Sequence, residues 1–351
     1  MSPTTQLAHP GEVAPTVDNR KPTCLVIIAP DHAPFFYGEE EWKALAARTE
    51  LLSERPLSGE EAISNPSLLE RVEILFTGWG GPALDARLLA CMPRLRAVFF
   101  AGGTVKGLAT EAFWAREVPL VSAAPANARP VAEYTVAALI FGLKGFMPQA
   151  SALRAGGSWD QSRAWPGCYR VTVGLVSFGA IAREVRRMLE SFSISVIVFD
   201  PYLSEEQAQI HRVTKVGLDE LFELADAVSI HTPWLEQTEK MIRKEHLLRL
   251  PRHATFINSA RGAVVDEADL VDVLRSRPEM HAFLDVTYPD PPAADSPLLS
   301  LPNVFLTPHV AGSIGPECKR MVNFLIAELD RLLANQPLKH TILKETLATS
   351  A

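Results

Sequence analysis

The sequence predicts an α/β fold made of two doubly wound parallel sheets, and three observations carry that prediction. The chain has 351 residues, which at ~150 residues per domain is enough for two hydrophobic cores. Short β-branched runs alternate with amphipathic stretches, the pattern of βαβ units on a parallel sheet. The alternation runs once from Thr23, is interrupted by a long apolar segment, and then begins afresh near Val171.

In the first series TCLVIIAP, VEILFTGWG, LRAVFFAGG and VPLVSAAP read as strands, and EEEWKALAARTE, LDARLLACMP and GLATEAFWARE as helices. The segment PVAEYTVAALIFGLKGF, Pro130 to Phe146, predicts a long helix with proline in its first turn, where no N–H is needed. A loop rich in Gly, Ser and Trp follows. The second series has strands in VTVGLVSF, ISVIVFD, VSIHTP, ATFINSA, HAFLDV and NVFLTPH, with helical segments between them. Beyond His309, GPECKRMVNFLIAELDRLLANQP has helical apolar spacing and is expected to run back to the first unit. The reading is therefore a polar tail over residues 1–22, a first domain from 23–126 with 311–351, and a second domain over 127–310.

Apolar residues make up 47% and charged residues 21%, with a formal net charge of −7, which fits a folded protein and disfavours a nucleic-acid partner. Cys24, Cys91, Cys168 and Cys318 lie far apart with no CxxC pair, so neither a disulfide framework nor a zinc ribbon is suggested. A reducing cytoplasm fits this cysteine usage. The N-terminus lacks an apolar secretory core, and no run of ~18 uncharged apolar residues is present to span a bilayer. No HExxH, EF-hand or Walker A sequence occurs, so no metal is expected and phosphoryl transfer is disfavoured.

The segment VTVGLVSFGAIAREV places small residues where a Rossmann strand turns into its helix and receives a dinucleotide pyrophosphate. The strict GxGxxG fingerprint is degraded to Ser177-Phe178-Gly179-Ala180-Ile181-Ala182, with Gly179 alone keeping its glycine. Alone, this is equally a plain strand-turn-helix connection. Asp200 at the end of ISVIVFD, about 20 residues further on, strengthens it: a carboxylate there accepts hydrogen bonds from ribose hydroxyls and repels a 2′-phosphate. The pair predicts NAD in preference to NADP.

With those motifs in place, the chain from about Val72 to about Pro337 resembles the D-isomer-specific 2-hydroxyacid dehydrogenase family. PVAEYTVAALIFGL, VGLVSFGAIA, SIHTPWLEQTEKMI, FINSARGAVVDEADLVDVL, FLDVTYPDPP and VFLTPHVAGS occur in family order. The resemblance implies a flavodoxin-like substrate domain beside a Rossmann NAD domain, a 2-keto or 2-hydroxy acid as substrate, and a homodimer. It also implies that Arg261 grips the substrate carboxylate and keto oxygen, a task suited to a planar two-pronged cation. His309 takes the place of the family's acid/base histidine. Asp290 stands where the family has a glutamate that holds the histidine, and it is one methylene shorter, so it is expected to reach His309 only if the proline-rich loop shifts inward.

The same resemblance places Asp285, Ser259 and Ala260 beside the nicotinamide, and His231, Thr232, Pro233 and Thr238 in the loop along the cofactor. In the first domain, Trp79, Gly80, Gly102, Gly103 and Thr104 follow predicted strands and are expected to face the substrate, although Trp79 is equally readable as a packed loop aromatic. Thr104-Val105-Lys106-Gly107 departs from the family's usual Gly-Val-Asp-Asn, so substrate choice is open there. A second reading is an NAD(H)-sensing interaction protein of the corepressor kind, motivated by Ser177, Ala182 and Asp290. Formate oxidation is disfavoured by the carboxylate at position 290.

Overall fold

The structure is a computed structural model that describes residues 20–157, 159 and 164–348. The proposed tail lies outside these except for Arg20 to Pro22, which are docked: Arg20 forms a two-pronged pair with Glu73 at 2.8 and 2.9 Å, and Pro22 accepts from the Glu50 N–H.

Two parallel sheets form, as the alternation demands. The first contains β1 (Thr23–Ile27), β2 (Glu50–Leu51), β3 (Ile74–Gly78), β4 (Ala97–Ala101) and β5 (Leu120–Ser122), in the order β2-β1-β3-β4-β5. This is the flavodoxin-like order, with its reversal point between β1 and β3. The second contains β6 (Tyr169–Val176), β7 (Ser193–Phe199), β8 (Thr214–Lys215), β9 (Ala227–Ile230), β10 (Thr255–Asn258), β11 (His281–Leu284) and β12 (Val304–Leu306). Its order, β12-β11-β10-β9-β6-β7-β8, reverses between β6 and β9, where an open α/β sheet leaves its ligand crevice.

Residues buried on both faces, such as all of β1, β3, β4 and β10, explain why these strands read as unbroken apolar runs. Helices cover both faces of each sheet, splitting each core into two layers. The long helix differs from the sequence reading. It spans Ala124–Leu143 with Pro125 in its first turn and Pro130 inside, and a second helix, Phe146–Arg154, continues at 60° after the left-handed Gly145. The earlier start is favoured because Pro125 already supplies the preset φ of a helix opening. The Cys318–Leu333 helix returns to the first sheet: Met321, Val322, Leu325 and Leu329 are buried in the same cluster as β1, β3 and β4. Beyond it, Thr341 bridges to Val121 of β5. No single helix among the described residues is long and apolar enough to cross a membrane.

Candidate active site

Strand ends and their loops bring the chemistry together. β10 ends at Asn258, whose side chain shapes the turn behind it: Oδ1 accepts from the Ala260 N–H and Nδ2 donates to the Arg261 carbonyl, both at 3.0 Å. Arg261 is half-buried, with Nη1 donating to the Ala260 carbonyl at 2.6 Å. Burial draws its pKa down and the nearby Asp290 carboxylate opposes that, so the guanidinium and the carboxylate share one electrostatic environment.

His309 lies in the loop after β12 and has a left-handed backbone, φ +55°. Such a conformation persists only where the surroundings over-determine it, and Asp285 does so here. Its backbone carbonyl accepts from the His309 N–H, and its carboxylate accepts from Thr307 Oγ1, Val310 N–H and Ala311 N–H at 2.6 to 2.8 Å. Asp285 is 1% exposed. Its place beside the nicotinamide was inferred from resemblance; the contacts present tie it to the histidine turn. Tyr134 Oη donates to Thr307 Oγ1, continuing the network into the long helix.

Asp290 reaches the histidine: Nδ1 of His309 and Oδ2 of Asp290 are 2.8 Å apart, both side chains about half exposed. Gly262 helps to draw their loops inward, because a β-carbon there would lie 2.1 Å from the backbone of Thr287. Glu267 holds the same loop by accepting from the Tyr288 N–H, and Thr287 Oγ1 donates to the Pro289 carbonyl. Asn258, Gly262 and Glu267 were missed by sequence reasoning. The INSARG and DEADL stretches contain them, but only the fold shows which loop each supports.

At the reversal point of the second sheet, Ser177 Oγ and Thr232 Oγ1 are 2.9 Å apart, linking the loops after β6 and β9. Ser177 takes φ +72°, the conformation in which glycine would be unstrained. Asp200 steadies the turn: Oδ2 accepts from the Phe178 N–H and Oδ1 from the Tyr202 N–H, each at 2.7 Å. Phe178 itself is buried in the core. The Ala180–Met188 helix starts at Gly179 with no side-chain cap and no acidic residue in its first turn.

These features fit a dinucleotide. A β-carbon at Gly179 would meet no protein atom within 4 Å, so its smallness serves no internal packing need and leaves room for a phosphate at the uncapped N–H groups of Ala180 and Ile181. Ala182 is fully buried against the sheet. His231 has both ring nitrogens buried without a hydrogen-bond partner, and burial depresses its pKa to about 4. Thr238 closes its loop by accepting from the Leu235 N–H and donating to the Pro233 carbonyl. Ser259 Oγ lies 3.4 Å from Thr135 Oγ1 on the long helix.

The first sheet supplies the opposite wall. Gly80 has φ +71° and its Cβ position would strike Ala29, so the turn after β3 requires glycine. Gly102 is crowded by the Phe100 ring and stands near Trp79 Nε1, while Gly103 faces open space. Ser122 Oγ is within hydrogen-bond reach of the carbonyls of both glycines. Trp79 packs edge-on against Phe36 and His32, with centroid distances of 5.0 and 5.6 Å. Lys106, which sequence reasoning noted only as a departure, reaches across to the loop after β9, where its Nζ lies 3.4 Å from the Trp234 carbonyl oxygen.

Fold and site together define a two-domain α/β protein with a dinucleotide crevice and an Arg, His and Asp group beside it. Residues 136–311 match the NAD binding domain of D-isomer specific 2-hydroxyacid dehydrogenases. The chain is 33% identical over 252 residues to the (S)-sulfolactate dehydrogenase of Chromohalobacter salexigens, 69% of this chain and 82% of that one. It is 30% identical over 246 residues to the D-3-phosphoglycerate dehydrogenase of Archaeoglobus fulgidus, 70% of this chain and 46% of that one. It thus spans under half the length of that phosphoglycerate dehydrogenase. A phosphoglycerate oxidoreductase structure from Rhizobium etli superposes with a TM-score of 0.78 over 93% of this chain and 99% of that one, at 22% identity, and shares the fold. The chain belongs to the D-isomer specific 2-hydroxyacid dehydrogenase family.

Proposed function

We propose that the protein is an NAD-dependent oxidoreductase that interconverts a small 2-keto acid and its D-2-hydroxy acid. The observation that carries the reading is the His309–Asp290 contact of 2.8 Å in the same electrostatic environment as Arg261. Arg261 has donors in a fork that suits a carboxylate and its neighbouring keto oxygen. With Nδ1 of His309 donating to Asp290, Nε2 is the ring atom left to hold a proton for the keto oxygen, and in the oxidative direction it takes the proton back. Asp290 orients the ring and stabilises its charged form. Bound NAD(H) supplies or accepts the hydride. The loops of the two sheets then exclude water around the reacting carbon.

Asp200 supports a preference for NAD over NADP, because its fixed carboxylate opposes a 2′-phosphate. We further infer a homodimer in a cytoplasmic setting; the exposed, stacked Phe141 and Phe146 at the bend of the two long helices supply apolar surface for the pairing.

Purified protein with NADH and a panel of glyoxylate, hydroxypyruvate, pyruvate and bulkier 2-keto acids should lose nicotinamide absorbance. His309→Ala should abolish that loss while NADH still binds. Turnover unaffected by the substitution would refute the assignment, and NADH binding without turnover of any substrate would favour a nucleotide sensor.

A further inference from the structure

We propose that Lys106 is a specificity-determining residue that receives a second anionic group at the far end of the substrate, so that the site takes dianionic 2-keto acids. This rests on the 2-keto acid reading above and adds the substrate class to it.

The loop Thr104-Val105-Lys106-Gly107 is anchored from beneath by Val105, which is 1% exposed, so its backbone is fixed while Lys106 stands at the rim. A lysine there is free to extend into solvent. Instead its Nζ spans the cleft to the Trp234 carbonyl oxygen at 3.4 Å. Among the described residues no carboxylate lies within ion-pair distance of it, and a carbonyl at that distance is a weak partner for an ammonium. Partial burial and then the positive charge of Arg261 both lower the Lys106 pKa, so the two cations face one region of the cleft. Asp290, the carboxylate that acts on Arg261, is engaged by His309.

Charge counting then separates the substrates. A carboxylate next to the keto carbon answers Arg261 and leaves the Lys106 ammonium without an anion of its own. A second anion beyond the keto carbon supplies one. β-Carbons at Gly103 and Gly107 would meet no atom within 4 Å, so the loop on either side of Lys106 leaves open volume for such a group.

The test is a set of substrates similar in length, used with the full chain and NADH: oxaloacetate, 3-sulfopyruvate and 3-phosphonopyruvate against 2-ketobutyrate and hydroxypyruvate. The expected result is a kcat/KM advantage of roughly tenfold or more for at least one dianion, and which one separates carboxylate, sulfonate and phosphonate. Lys106→Met should shrink the dianion-to-monoanion ratio by roughly tenfold or more, and Lys106→Arg should restore most of it. No dianion advantage in the unmodified protein, or an equal proportional loss on both substrate sets in Lys106→Met, would overturn the proposal, the second result marking a clasp between domains. Calorimetric binding of succinate against butyrate to the NADH-loaded protein repeats the test without turnover. Succinate binding that depends on Lys106 supports the proposal even if no keto acid is reduced, which would count against the parent reading alone, and binding indifferent to Lys106 overturns it.

Discussion

Nδ1 of His309 lies 2.8 Å from Oδ2 of Asp290, although an aspartate is one methylene shorter than the family's glutamate. The distance is closed by the loop and not by the side chain. Gly262 allows the Thr287 backbone to approach, Glu267 holds Tyr288, and Asp285 fixes the turn from which His309 projects.

Asp290→Asn keeps the size of the side chain and removes its charge. Without an anion to favour the imidazolium, proton transfer should weaken, and kcat should fall on the order of 10²-fold. NADH affinity should change little, because the cofactor turn lies on other strands. Steady-state rates beside NADH fluorescence titration check this; a kcat within a few-fold of the unmodified protein would mean that Asp290 does not support the histidine. Asp290→Glu adds a methylene to a loop already drawn inward, and should be less active than the native aspartate.

Arg261→Lys preserves charge and loses the fork. If the guanidinium binds the carboxylate through two donors while polarising the keto oxygen, one ammonium cannot do both, and kcat/KM should drop by roughly 10²-fold or more. A loss confined to KM would assign Arg261 to binding alone, whereas a loss shared with kcat would place it at the reacting oxygen.

Much of this was legible in the sequence, and the parts that were not have physical causes. Strands buried on both faces announce themselves as apolar runs, so β1, β3, β4 and β10 were readable. The two-residue edge strands β2 and β8 are too short to carry a pattern. Pro130 looked like a helix opening because proline favours the first turn, yet Pro125 fills that role and Pro130 sits inside the helix. Arg261 and His309 were readable through their motifs. The path of Lys106 was not, since the direction of a long flexible side chain is set by what the other domain presents. Nor was the engagement of Asp285 with three donors, which depends on the course of the loop after β12.

Asp200 should set the choice of cofactor. Its carboxylate is fixed by two backbone N–H groups at 2.7 Å and cannot easily swing away from a 2′-phosphate. Asp200→Ser removes the repulsion, and the NADH-to-NADPH preference in kcat/KM should fall by about tenfold or more. The turn should also loosen, because the Phe178 N–H loses its acceptor, so some loss with NADH is expected as well. An unchanged preference would show that another group selects the cofactor.

Acid sensitivity of folding offers a test remote from the chemistry. His281 of β11 is 4% exposed, packs against Trp165 and Phe305, and leaves Nδ1 without a partner. Burial, reinforced by the neighbouring His253 and opposed by Glu279, lowers its pKa to about 4. In the unfolded chain it takes up a proton near the ordinary histidine value of about 6.5. Between those values the unfolded state binds more protons, so this contribution to stability is complete above the upper value and is lost as pH falls toward the lower one. Going from about pH 7 to about pH 5, the loss from this one group is on the order of 2 kcal/mol. His231, also held neutral by burial with a pKa of about 4, acts in the same direction. His281→Phe keeps an aromatic ring between Trp165 and Phe305 and removes the ionisable nitrogen. Urea denaturation near pH 7 and near pH 5 should therefore show a smaller acid-induced loss in the variant than in the native chain; equal losses would mean that His281 is protonated in the folded protein without penalty.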